Sequence, residues 1–424
     1  VCDVAACDHG TDAEEAPDIV LAFILPDHGA EWPGMGDAWA AHPSWELVDA
    51  ASDATGLDVR ALLSGRTDFE RLEHAHLATF VLSLVALDAS ERVGLAPMAV
   101  AGYGLGEYTA LAAAGAIDFE SGVRLVLERG TLAREALGTT PEMTVAIVGL
   151  SDDDAESCCA RAEGDVWVAG YDADDEVLLT GTPEGVGCAV EIARTLGDVR
   201  VDARPASGGF HTPLLASARE PLRKRLSQTT FGELDPVAVA NVDARHHPDA
   251  ADWPGLLSAQ LCAPVRWRQS MEALYADGIR TFVEFGPGAV LSERVQRAFA
   301  GQPVAAYAIA TPADLDVLMD RLVERTRRTP TSHDQVVGRL VVSTAAGQFR
   351  PAPEIAYALP RLANIEADEL RQDVELHVGD LVGWVGDVEV RSAFDGTLGG
   401  LLVIEGERVL SSQPVAWLRA SVTA

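Results

Sequence analysis

Lysine is almost missing from this chain: Lys224 stands alone, and every other basic residue apart from histidine is arginine. A cofactor carried on a lysine amine therefore has one possible address, and no cofactor is expected. Cysteine is sparse too. Cys2, Cys7, Cys158, Cys159, Cys188 and Cys262 are scattered without a C-x-x-C pair, which reads as ordinary thiols of a reducing compartment. Positive charge is in deficit, with 32 Lys+Arg against 65 Asp+Glu and a formal net charge of −33. That balance excludes a basic face for nucleic acid and disfavours an anionic membrane. No stretch approaches the ~18 consecutive apolar residues of a membrane span. The start lacks a charged segment followed by an apolar one, so no signal peptide is expected and the location reads as cytoplasmic. What is present is 424 residues, 48% apolar, with mean hydropathy +0.10, enough for two or three domains with full cores.

One further absence organises the rest. Gly102-Tyr103-Gly104-Leu105-Gly106-Glu107-Tyr108 follows the apolar run Pro97–Ala101 and precedes the alanine-rich Ala110–Ala116. Strand, glycine turn and helix make the layout of a nucleophile elbow, where Gly-x-Ser-x-Gly lifts a serine above a parallel sheet. Here the middle residue is Gly104, which can neither attack a thioester nor carry an acyl group.

Taken in order, residues 1–18 hold six acids and no Lys or Arg, as in a solvated, disordered tail. Ile19–Leu25 is a continuous apolar run, as in a strand buried on both faces, and it ends in the loop Pro26-Asp27-His28-Gly29. Residues 141–203 read as strand, helix, strand, strand, helix, strand, the ferredoxin-like order. Around this insert, 19–140 and 204–327 read as one α/β core. Residues 328–340 read as a polar linker. Residues 341–424, rich in β-branched residues with glycine turns, read as a small all-β barrel or sandwich with an internal pseudo-repeat. The repeat pairs Val378–Val382 with Glu405–Val409.

Residues 19–327 resemble the malonyl-CoA:acyl carrier protein transacylases and the acyltransferase domains of polyketide synthases. The family's Phe-Pro-Gly-Gln-Gly loop matches Leu25-Pro26-Asp27-His28-Gly29, and its Gly-His-Ser-Leu-Gly-Glu elbow matches Gly102–Glu107. Its carboxylate-binding arginine falls on Arg129. Its histidine falls on His211, after Phe210, and its Gln-Leu-x-x-Pro-Val segment is Gln260–Val265, whose glutamine carbonyl orients that histidine. Its Glu-x-Gly-Pro-Gly turn is Glu284–Gly288. The resemblance implies a hydrolase-like parallel-sheet acyltransferase core with the inserted ferredoxin-like subdomain. The departures gather in the pocket: serine to Gly104, the preceding histidine to Tyr103, a loop glutamine to His28, and a second glutamine to His76. The C-terminal region resembles unmodified lipoyl- and biotinyl-like barrel-sandwich domains, chiefly in Phe394-Asp395-Gly396 and the two Gly-Asp/Glu turns.

These matches imply a partner, acyl carrier protein or other polyketide synthase components, and an acyl or malonyl thioester as substrate. His211 is expected to activate a water lodged in the space left at Gly104, with backbone N–H groups of Leu105 and His28 as the oxyanion hole. Hydrolysis or decarboxylation of a malonyl group would follow. The alternatives are a non-catalytic scaffold for the carrier protein or a partner enzyme, and a pocket re-tooled for cyclisation of a carrier-bound polyketide. Arg129, Tyr103, His76 and Phe210 are expected around the substrate. His28, His76 and His211 are also weighed as a zinc set, although coincident replacement of amides is preferred and no metal is expected. Arg219, Arg223, Lys224 and Arg225 are the candidate patch for an acidic carrier.

Overall fold

The computed structural model describes residues 20–328, apart from 68, 70, 206 and 207, and residues 336–421, apart from 346, 354, 356–373, 402, 404, 405, 407 and 410–412. The acidic tail and most of the expected linker lie outside the described residues. The described residues up to 323 form one compact unit, and those from 324 onward form a second.

Five short apolar runs build the central sheet of the first unit. They are β1 (Leu21–Leu25), β2 (Ala99–Gly102), β7 (Val237–Val239), β9 (Thr281–Phe285) and β10 (Ala305–Ile309). The order is β10-β9-β1-β2-β7, all parallel, with the two-residue β8 (His246–His247) antiparallel at one edge. β1, β2 and β9 are buried throughout, as strands covered by helices on both faces must be.

Two helices set the depth of the pocket. Leu72–Arg92 is long and apolar enough to cross a bilayer, but it lies buried in the core, where its composition is that of an internal helix. Phe119–Leu137 starts at Asp118, whose Oδ1 accepts from Ser121 N at 2.9 Å. It crosses Leu72–Arg92 with almost no gap, because a Cβ on Gly130 would stand 2.6 Å from the Glu73 Cα. That approach carries the neighbouring Arg129 against His76.

The insert is a separate antiparallel sheet of β3 (Met143–Val148), β4 (Val166–Ala173), β5 (Glu176–Gly181) and β6 (Arg200–Arg204) in the order β4-β5-β3-β6. Its two helices are Asp152–Arg161 and Pro183–Leu196. Tyr171 N donates to Val265 O and Val265 N to Ala169 O, which ties β4 to the core.

The second unit holds two four-stranded antiparallel sheets. One contains β11 (Val336–Val342), β13 (Glu375–Leu376), β16 (Gly396–Leu401) and β18 (Pro414–Ser421). The other contains β12 (Gly347–Pro351), β14 (Leu381–Val385), β15 (Val388–Arg391) and β17 (Arg408–Val409). β11 pairs with β18 from Val336 onward, so residues 336–340 are strand where the polar composition suggested linker. Gly379 and Gly406 precede β14 and β17, which flank β12.

Candidate active site

β2 ends at Gly102 and the helix Gly106–Ala113 begins four residues later, so residue 104 stands at the apex of a tight turn. Gly104 has φ +54°, the strained region used at elbows. Two residues from other segments hold this turn. Asn241, just beyond β7, accepts from Gly104 N at 2.8 Å and donates to Gly102 O at 2.5 Å. Gln260 Nε2 donates to Gly104 O at 2.5 Å and to Glu107 Oε2 at 2.8 Å. Asn241 N donates to Glu107 Oε1 at 2.7 Å. Burial pushes the Glu107 carboxyl up to about 8, against the lowering effect of these two donors.

The space at the apex is not vacant, contrary to the expectation of a water there. Asp27 fills it. A Cβ at residue 104 would stand 2.7 Å from the Asp27 Cγ and closer still to its Oδ2. The expected oxyanion donors, Leu105 N and His28 N, do converge, but both donate to Asp27 Oδ1, each at 2.9 Å. His28 Nδ1 reaches the same oxygen at 2.8 Å. Burial works against the Asp27 charge, yet His28, Arg129 and His211 hold its carboxyl far below the usual 3.8. For His28 the balance reverses: burial lowers its pKa, Asp27 raises it, and the net shift is upward.

His211 sits at φ +64°, a conformation costly for a residue with a side chain. Its N donates to Leu261 O at 3.0 Å, and its Nδ1 lies 2.9 Å from Gln260 O, the carbonyl expected to orient it. With the proton on Nδ1, the lone pair of Nε2 is buried and has no hydrogen-bond partner among the described residues. Burial brings the imidazole down to about 4, so it is neutral at physiological pH.

Arg129 is fully buried. Its guanidinium stacks 4.0 Å above the Phe210 ring, reaches Gln260 Oε1 at 3.3 Å, and lies 3.5 Å from His76 Nε2. Among the described residues it makes no ion pair with a carboxylate. His28 and His76 meet edge-on with ring centres 4.6 Å apart. Burial, His28 and Arg129 keep His76 neutral. No group of three or more His, Cys, Asp or Glu among the described residues is arranged to hold a metal.

Tyr103 does not face this pocket. Its OH donates to Asp172 Oδ1 of β4 at 2.7 Å, its ring lies near Trp267 and under Arg294, and Arg294 pairs with Asp172 at 2.8 Å. It fastens the elbow to the insert and is withdrawn from the substrate-binding set. The arginine patch is also thinner than its sequence suggests, because Arg223 pairs with Glu220 at 2.7 Å and Arg225 with Glu128 at 2.5 Å. Asp27, Asn241 and Glu107 belong to the site, and composition gave no sign of their roles. The signal for Asp27 was its position beside His28 in a loop where the resembling family has glycine.

The first unit is similar to known proteins. The acyl transferase domain family matches residues 22–330. The malonyl CoA-acyl carrier protein transacylase of Bacillus subtilis (strain 168) is 30% identical over 312 residues, covering 72% of this chain and 98% of that protein. The protein of the same name from Escherichia coli (strain K12) is 34% identical over 286 residues, covering 65% and 92%. A solved malonyl-transacylase in complex with its holo type II PKS acyl-carrier protein superposes with TM-score 0.68 at 28% identity, covering 71% of this chain and 99% of that one.

Proposed function

The chain belongs to the acyl transferase domain family, and on that premise we propose that it serves fatty-acid or polyketide assembly by engaging malonyl or acyl thioesters of acyl carrier protein without forming an acyl-serine. The observation that carries this reading is Arg129. Its buried guanidinium makes no ion pair with a carboxylate among the described residues, and a ligand carboxylate would complete it bidentately. The acyl carrier protein in the solved complex and the malonyl group in the relatives' names support the choice of ligand. Binding of malonyl-carrier and acetyl-carrier protein to the wild type and to Arg129→Gln tests it. The variant is expected to weaken malonyl binding about 10- to 100-fold, the worth of a charge-assisted bond, and to leave acetyl binding nearly unchanged. Equal affinity for the two acyl groups in the wild type would refute it.

His211 supports a second reading, in which a thioester that displaces the Asp27 carboxylate from Leu105 N and His28 N is also hydrolysed or decarboxylated. Its Nε2, buried with no hydrogen-bond partner among the described residues, is a neutral but weak base at physiological pH. Loss of acyl group or CO₂ from the malonyl carrier should then vanish in His211→Ala. With the imidazole titrating at about 4, the rate should hold steady from neutrality down to near pH 5.

For the second unit we propose an unmodified relative of the lipoyl and biotinyl barrel-sandwich domains, used for docking or dimerisation. Its two four-stranded antiparallel sheets with one shared apolar cluster support this. A swinging cofactor arm has no lysine to start from, because Lys224 lies in the first unit.

A further inference from the structure

We infer that the Asp27 carboxylate is a built-in stand-in for a bound acyl group, and that Asp27 and Gly104 form a reciprocal pair that bars ester formation at the elbow. The inference keeps the acyl-binding reading above but adds what occupies the reacting position. In an acyl ester on an elbow serine, one oxygen bonds to the side chain at the apex, and the carbonyl oxygen rests on two backbone N–H groups. Asp27 reproduces both places. Oδ1 accepts from Leu105 N and His28 N, at 2.9 Å each. Oδ2 lies where a side chain on residue 104 would begin, well inside van der Waals contact of a Cβ there.

Three further features suit that role. His28 Nδ1 adds a third bond to Oδ1 at 2.8 Å, so the carboxylate is fastened where it lies. Glycine at 104 is the residue that leaves room for it, because any side chain would meet the Asp27 Cγ at 2.7 Å. The fold around the pair is otherwise that of a working elbow: Asn241 and Gln260 hold the turn, and the Gln260 carbonyl faces His211 Nδ1.

The inference is tested with four proteins: wild type, Gly104→Ser, Asp27→Gly and the double variant, each confirmed folded by its melting transition. Two probes are read by intact mass, a fluorophosphonate, which labels an activated serine whatever its acyl preference, and malonyl-CoA. With malonyl-CoA, the introduced hydroxyl would attack the thioester and displace the CoA thiolate to give an ester, the hydroxyl proton passing by way of His211 Nε2 to the departing sulfur. The double variant should label with fluorophosphonate more than about a hundredfold faster than Gly104→Ser, the scale of an oxyanion hole lost or regained. Wild type and Asp27→Gly should stay unmodified. Equal labelling of Gly104→Ser and the double variant, no labelling of the folded double variant, or an adduct on Asp27 itself would each overturn the inference. Fluorophosphonate labelling without malonylation would uphold it and count instead against the malonyl reading. Should Gly104→Ser alone not fold, Gly104→Ala is compared with and without Asp27→Gly. The melting temperature must fall much further when Asp27 is retained; an equal fall refutes the pairing.

Discussion

At the scale of single residues, the site is decided by two side chains, one present and one absent. Asp27 and Gly104 are in contact, so their substitutions should not add. Gly104→Ser alone forces an atom into the space of the Asp27 carboxylate and should cost about 1–3 kcal/mol as overpacking. Adding Asp27→Gly should recover most of that, measured by denaturant unfolding of the four proteins. Asp27 also sets a pH dependence. Its native pKa is depressed below the usual 3.8, so its stabilising contribution is present above that value and is lost as the pH falls through the native value. Asp27→Asn should therefore show a shallower loss of stability below about pH 4 than the wild type. Glu107 has the opposite sign: raised from 4.5 to about 8, it is favourable in acid and loses its contribution as the pH rises through about 8. The missing serine was plain in the sequence. What filled its place was not, because composition and spacing carry no information about which loop side chain turns inward.

At the scale of elements, the strands, the elbow and the helix of Arg129 were legible because each has a strong local cause. Apolar runs with turn residues at both ends make buried strands, and Asp118 caps the helix Phe119–Leu137. The insert followed from its strand and helix order. Tyr103 was misplaced because a residue at an elbow can turn to either side of the sheet, and only tertiary contact decides. Here Asp172 and Arg294 draw it toward the insert. Tyr103→Phe should cost about 1–2 kcal/mol, since it removes a donor from a buried carboxylate, and unfolding measurements would read this directly. Gly130→Ala should destabilise by a comparable amount and weaken malonyl-carrier binding, because the two helices that hold Arg129 and His76 would be pushed apart. Residues 336–340 read as linker because their flank is polar, whereas pairing with β18 makes them strand.

At the scale of the whole molecule, two compact units carry separate apolar cores. Calorimetry should resolve two transitions, with Gly104→Ser moving one and leaving the other in place. The strong negative charge sets the terms on which an acidic carrier protein could dock. With Arg223 and Arg225 engaged by acids of their own chain, attraction by the patch would rest on Arg219 and Lys224. The central claim is that this fold engages a carrier-borne acyl group and never takes it onto a side chain. Native mass spectrometry of the wild-type chain mixed with malonyl-carrier protein reads both halves of that claim at once. The account predicts a complex that forms with the malonyl carrier in preference to the acetyl carrier and dissociates to a chain of unchanged mass. A chain recovered with the acyl group attached, or a complex indifferent to the carboxylate, would contradict it.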